Sequence, residues 1–233
     1  RGHPDDYDQW VALGNPGWSF ADILPYFKRS QNQERGASAY HGTGGPLNVA
    51  DLRSPSPLTR VFIEAGVEAG LPYNTDFNGP NPEGVGPFQV TQKDGRRCST
   101  ARGYLVPARA RANLTVITGA HATQVLFENN RAVGVEYKHQ GRLQQVSARL
   151  EVILSAGAIQ SPRLLMLSGV GDALQLEPIG IDPRHHLPGV GKNLQDHLDV
   201  MLVQACIRPV SYGITWRTVL RGGVDLLRYL LAG

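Results

Sequence analysis

The clearest patterning lies beyond Asn113. Residues 114–118, 123–127, 133–137 and 143–146 are short runs that mix apolar and polar side chains and read as four strands. Glu128-Asn129-Asn130 and His139-Gln140-Gly141 fall between these runs and read as hairpin turns. Glu151–Leu154 is a further, apolar strand that runs into the small-residue stretch Ser155-Ala156-Gly157-Ala158. A helix is then expected from Ser161-Pro162, with proline in its first turn, to Gly169. A meander followed by strand, small-residue turn and helix is mixed α+β architecture, with no unbroken strand–helix alternation.

Helical spacing recurs elsewhere. Asp5 or Asp6 is placed to cap a short helix through Trp10, and Ser19 with Asp22 forms a capping box ahead of Ile23, Leu24 and Phe27. Ser56-Pro57 opens a helix with Leu58, Val61, Phe62, Ala65 and Ala69 at helical intervals, and Gly70-Leu71-Pro72 stops it. Ser99 or Thr100 caps a short helix from Ala101 to about Leu105, and Leu220, Val224, Leu227 and Leu231 share one face of a final helix. Short strands are expected at 47–49, 88–92 and 200–207. Gly14-Asn15-Pro16-Gly17, Gly42-Thr43-Gly44-Gly45, the stretch 76–87 and the Gly/Pro-rich loop beginning at Gly180 are turns and loops.

Composition narrows the picture. At 233 residues the chain is one large domain or two small ones, and 41% hydrophobic content is enough for a core. Its 27 glycines and 16 prolines exceed the usual share of about 12%, so loops and close backbone approaches are prominent. A net charge of +3 is too weak to argue for nucleic acid. Cys98 and Cys206 cannot build a disulfide scaffold or a zinc site by themselves. No apolar run approaches the 18 or so residues of a membrane span, and no leader pattern opens the chain. Cytoplasmic location is the expectation. Arg1 at the start and Gly233 straight after a helical pattern make the chain read as a slice of a longer protein.

Small residues at 155–158, between a strand and a helix N-terminus, suit either a tight packed turn or the close approach of a bulky anionic ligand. Taken alone, that stretch favours the turn. The longer spacing Gly157-Ala158-x-x-Ser161-Pro162-x-Leu164-Leu165-x-x-Ser168-Gly169-Val170-Gly171 changes the balance. It resembles the second signature of the glucose–methanol–choline (GMC) flavoprotein oxidoreductases. Collinear segments agree: Arg1-Gly2 with Asp5-Asp6-Tyr7-Asp8-Gln9-Trp10, Pro16-Gly17-Trp18, His41-Gly42-Thr43-Gly44-Gly45-Pro46-Leu47, Gly95-Arg96-Arg97-Cys98-Ser99-Thr100-Ala101, and Gly189-Val190-Gly191-Lys192-Asn193-Leu194-Gln195-Asp196-His197.

The resemblance implies FAD as cofactor and oxidation of a primary alcohol by hydride transfer to the flavin, with electrons passed on to a quinone or another non-nicotinamide acceptor. It implies FAD-domain segments at 1–45 and 113–185 interleaved with segments of an antiparallel-sheet substrate domain at 46–112 and 186–233. The family's Gly-x-Gly-x-x-Gly fingerprint and its catalytic histidine both match nothing in this chain. Catalytic residues are therefore expected outside it, and the isolated slice is expected to be inactive and flavin-free. Three positions carry over to the cofactor: Ala122, at the family's main-chain contact to adenine, and Ala156 and Gly157, in the turn beside the nucleotide half. Asp199 matches the acidic position that holds the cation of choline in choline enzymes. It is Asp here, one methylene shorter than their Glu, and the surrounding text looks closer to the branch acting on uncharged primary alcohols.

The rival readings are a choline dehydrogenase and a non-catalytic binding module on the same scaffold. His185-His186 reads as a solvated pair in a loop, His197 as structural, and Phe88-Gln89-Val90 as core more than pocket lining. Arg97 and a helix start beside Cys98 would favour its thiolate, for which this chemistry has no use. Arg208, Arg217, Arg221 and Arg228 near the last helix form a solvated face, with peripheral contact to anionic lipid as the alternative.

Overall fold

A computed structural model describes residues 1–201, 203 and 216–232. Two compact units are found, Arg1–Leu114 with Val203–Gly233, and Thr115–Leu202.

The first unit opens with α1 (Pro4–Ala12). Its N-cap is His3, not Asp5 or Asp6 as expected: the His3 ring accepts the Asp5 N–H at 3.2 Å while the Asp6 carboxylate accepts the His3 N–H at 3.1 Å. Asp6 thus closes the capping box from its third position. In α2 (Phe20–Ser30) Ser19 and Asp22 cap each other as the spacing predicts. α2 passes directly into β1 (Gln31–Gln33), which pairs in parallel with β2 (Leu47–Val49). The glycines between them are needed for space: a Cβ on Gly42 would collide with the Lys28 carbonyl, and one on Gly45 would lie 2.5 Å from the Ser30 carbonyl carbon.

The interior of this unit is largely polar. Gln31, Gln33, His41 and Asn48 are all buried. The Asn48 amide donates to Glu34 and to the Gln92 carbonyl, both at 2.7 Å, and the Gln33 amide donates to Gln89 at 2.8 Å. His41 lies between Gln31 at 3.2 Å and Asp76 at 2.8 Å. The strand expected over 88–92 is reduced to a bridge from Val90 to Ala50 and to Gln92, which opens the hairpin that follows. A small hairpin, β3 (Gln92–Lys93) and β4 (Arg96–Arg97), follows.

α3 (Pro57–Glu68) starts at the Ser56 cap and is followed by Gly70 in the left-handed region, φ +94°. Its expected core face is not buried, since Phe62 is 71% exposed. The turn after Ser99 is π-helical over Ala101–Leu105 and continues as α4 (Val106–Ala108). Ser99 accepts the Arg102 N–H at 3.4 Å, whereas Thr100 caps nothing.

The second unit is a meander with a helix on it. β5 (His121–Glu128), β6 (Arg131–His139) and β7 (Arg142–Ser147) pair antiparallel in that order. The predicted turns hold, with Asn129 and Gln140 at φ 52° and 50°. The strands expected at 114–118 and 151–154 do not form, because no described strand offers either a ladder partner. α5 (Gly157–Leu167) begins four residues before the expected Ser161 and carries Pro162 inside it. The Ser161 hydroxyl instead reaches back to accept the Ala156 N–H at 3.0 Å.

β8 (Val170–Gly171) pairs in parallel with β9 (His185–His186), so the two histidines form an exposed strand and not a loop. Between them lie α6 (Ala173–Leu176) and a short 3-10 turn. Val125, Leu164, Val170 and Leu176 form the core around Ser168.

The last helix is α7 (Trp216–Ala232). Most of the strand expected over 200–207, Cys206, Arg208 and the side chains of Arg217, Arg221 and Arg228 lie outside the described residues. Among the described residues no helix is long and apolar enough to cross a membrane.

Candidate functional site

The junction of β5 and α5 places the small residues singled out from the sequence. Ser168, at the C-cap of α5, donates its hydroxyl to the Leu164 carbonyl at 2.6 Å and accepts the Val125 N–H of β5 at 2.8 Å. This clamp fixes the helix against the strand. The hydroxyl thereby partners a backbone donor of β5, an edge strand of its sheet. The free ends of the two elements consequently lie side by side.

Between those ends is a cleft of about 410 Å³ lined by Ala120, His121 and Ala122 from β5 and its approach, and by Ala156 and a stripe of α5. Ala122 and Ala156 thus line the same cleft. Gly157 is the first residue of α5 with φ +92°, and no atom lies within 4 Å of where its Cβ would stand. Glycine is therefore required there by backbone conformation, and the space beside it is open. The first turn of α5 carries no side-chain cap. At Ala156 and Gly157 no side chain is larger than a methyl group, so the backbone of this turn is accessible.

Asp199 is not brought to this cleft. It is exposed in an extended segment, and next to it Asp196 accepts the His197 N–H at 2.8 Å. Phe88 stacks on Phe77 with ring centroids 4.5 Å apart and belongs to the first unit. Cys98 is a buried packing residue: its sulfur accepts the Asn48 N–H at 3.5 Å and donates to the Pro46 carbonyl at 3.7 Å. No group of metal-ligating side chains occurs among the described residues.

The opposite side of α5 borders a second groove, of about 590 Å³, whose far wall is the loop from Gly191 to Gln195. That loop is tethered by Lys192, which bonds Asp172 at 3.0 Å. The lysine, then the α6 backbone, holds the Asp172 carboxyl below its ordinary range, against the smaller opposing effect of desolvation.

Sequence reasoning passed over Gln160, Arg163 and His121, which line the cleft. The signal was available in the helical period: Ala156, Gln160, Arg163, Leu164 and Leu167 are spaced as one stripe of a helix. His41 was likewise visible only as part of a motif, and the structure makes it a buried hub.

The GMC oxidoreductase family profile matches residues 1–199. The chain belongs to the GMC oxidoreductases. Among curated relatives, this GMC chain is 47% identical to an alcohol dehydrogenase [acceptor] of Pseudomonas putida over 99% of its length, covering 42% of that protein. It is 48% identical over 91% of its length to the mitochondrial choline dehydrogenase of Homo sapiens, covering 36% of it. Among solved structures, pyridoxine 4-oxidase from Mesorbium loti matches with a TM-score of 0.78 and 38% identity, over 84% of this chain and 39% of that one. An FAD-dependent oxidoreductase from Chaetomium thermophilum matches with a TM-score of 0.78 and 31% identity, over 84% and 36%. The chain therefore spans about two fifths or less of each of these proteins.

Proposed function

We propose that this chain is part of an FAD-dependent alcohol dehydrogenase that oxidises a primary alcohol to the aldehyde. The observation that carries the reading is the 47% identity to the acceptor-linked alcohol dehydrogenase across almost the whole chain. In this proposal 1–45 and 113–185 belong to the FAD domain, and 46–112 and 186–233 to the substrate domain. FAD, when bound, supplies the hydride acceptor, and the reduced cofactor is reoxidised by a quinone or another non-nicotinamide acceptor. A peripheral membrane contact is part of the same proposal.

The residues present fit the nucleotide half of that cofactor. Ala122 and Ala156 leave backbone accessible in the cleft, and the open backbone of Gly157 adjoins it. Main-chain groups at Ala122 would read the adenine edge, and Ala156 and Gly157 would admit the adjoining sugar without a steric clash. Proton removal from the alcohol is assigned to a histidine outside this chain, and Asp199 to substrate binding.

A choline substrate is the second reading, favoured by the human choline dehydrogenase at 48% identity. An anionic carboxylate at Asp199 would stabilise a quaternary cation. The test uses the purified full-length enzyme: a flavin absorbance band, and turnover of octan-1-ol above that of choline with an artificial acceptor, are expected. Faster turnover of choline, with Asp199→Ala raising the KM for choline and leaving that for octan-1-ol, would select the second reading. A flavin-free preparation inactive on both would end both.

A further inference from the structure

We infer that Arg163 is a positioning residue for the adenosine half of FAD, a side-chain role added to the main-chain contact at Ala122. This inference rests on the cofactor reading above. It starts from the make-up of the cleft. Ala156, Gln160, Arg163, Leu164 and Leu167 line one wall of it from a single stripe of α5. Within that stripe chemistry changes along the helix axis. Leu164 and Leu167 are apolar, and Leu164 is buried. Ala156 is small, and between these ends stand one carboxamide and one guanidinium.

Arg163 is exposed, yet it is held. Its Nη1 donates to Gln160 Oε1 at 3.0 Å, one turn back along the helix. Among the described residues it makes no ion pair, and no carboxylate lines the cleft. Arg163 also lines the groove on the other side of α5 whereas Gln160 lines only the cleft, so the bond to Gln160 draws the arginine side chain toward the cleft. The result is a concave, mostly apolar slot bearing an uncompensated planar cation. That combination suits a flat, electron-rich heterocycle, on whose face a guanidinium is attracted and whose edge a carboxamide can hydrogen-bond. A free alcohol substrate offers no such face. A purine does, and the purine implied at Ala122 lies on the opposite wall of this same slot.

The experiment is a titration of the flavin-stripped full-length enzyme with FAD and, separately, with FMN, which lacks the adenosine half. Binding is read by quenching of flavin fluorescence. Arg163→Ala is expected to weaken FAD binding about fivefold to tenfold and to leave FMN binding unchanged. Gln160→Ala is expected to weaken FAD binding about twofold, by releasing the guanidinium. Arg163→Lys, which keeps the charge and loses the planar cation, is expected to recover only part of the loss. An equal loss for FAD and FMN, or full recovery by lysine that disappears in high salt, would overturn the inference. If the unaltered enzyme prefers FAD to FMN but Arg163→Ala binds FAD normally, this inference alone fails. If the unaltered enzyme does not distinguish FAD from FMN, the cleft does not hold adenosine and the cofactor assignment falls with it.

Discussion

The buried layer of the first unit sets three amides and an imidazole beside the small apolar side chains of Ala50, Val85 and Cys98, whereas that of the second is aliphatic around a single hydroxyl. In the first, Gln33 is 3% and Asn48 4% exposed, and their side chains are partnered by other side chains and by carbonyls. In the second, Leu176 is 2% exposed and Ser168, at 1%, bridges helix and strand. Among the described residues no buried side-chain nitrogen or oxygen lacks a partner. The two regions therefore fail differently. An aliphatic core loses stability in proportion to the volume removed, while a polar layer loses it when one member leaves another unpaired.

The largest effect is expected from Leu176→Ala. The side chain is enclosed, and its truncation should cost about 2–5 kcal/mol through lost burial and the cavity left behind. Amide hydrogen exchange of the full-length protein would read this as earlier opening of β5 and α5. Protection of those amides lowered by less than about 1 kcal/mol would mean that the cleft's supporting core is not where this contrast puts it.

Asn48→Ala sharpens the other side. It removes both donors to Glu34 and Gln92 and the acceptor of the Asn32 amide, which bonds it at 2.7 Å. Partly buried groups then lose their partners, at a cost on the order of 1–3 kcal/mol. Asn48→Asp discriminates further, because it sets a carboxylate against Glu34. It should be worse than alanine at neutral pH and should improve relative to alanine on acidification. A pH-independent difference between the two variants in thermal melts would contradict the role given to the amide donors.

The same contrast explains what could be read without coordinates. The second unit follows a period: the three hairpin strands and the helix after them are visible because alternation and helical spacing write burial directly into residue type. Two strands were misjudged there. The segments 114–118 and 151–154 have the right apolar character, but a strand also requires a partner, and none of the described strands supplies it. The start of α5 was misplaced since Gly157 and Ala158 carry no apolar signal, and Ser161 serves the turn through its side chain. In the first unit, hydrophobicity says little. Gln31, Asn32 and Gln33 look like surface, and only the structure shows them paired inside. Ala122, Ala156 and Gly157 are reachable through the resemblance to the GMC signature segments. Arg163 was reachable only by asking which polar residues share their helical stripe.

The smallest expected effect lies at the rim of the polar layer, where solvent enters. Asp51 takes Arg35 Nη2 at 2.7 Å and Nε at 3.1 Å, and it accepts the Gln89 amide at 3.0 Å, while Arg35 Nη1 donates to the Thr75 carbonyl at 2.6 Å. The clip thus joins the chain beyond β1 and β2 to two loops. The Arg35 hydrogen bond, aided by Gln89 and by the arginine's charge, holds the Asp51 carboxyl below its ordinary range against partial desolvation. A carboxyl lowered on folding stabilises the native state fully above its unfolded value, about 3.9, and that contribution is lost as pH falls through the folded value below it. Asp51 is 57% exposed, so screening by solvent limits the contribution to less than about 1 kcal/mol. Thermal melts of the full-length protein and its Asp51→Asn variant should therefore differ slightly at pH 7 and converge as the pH falls below about 4. The gap should also narrow in high salt. A difference that widens on acidification would reverse the sign of the linkage and remove the clip from the interactions that hold the polar layer closed.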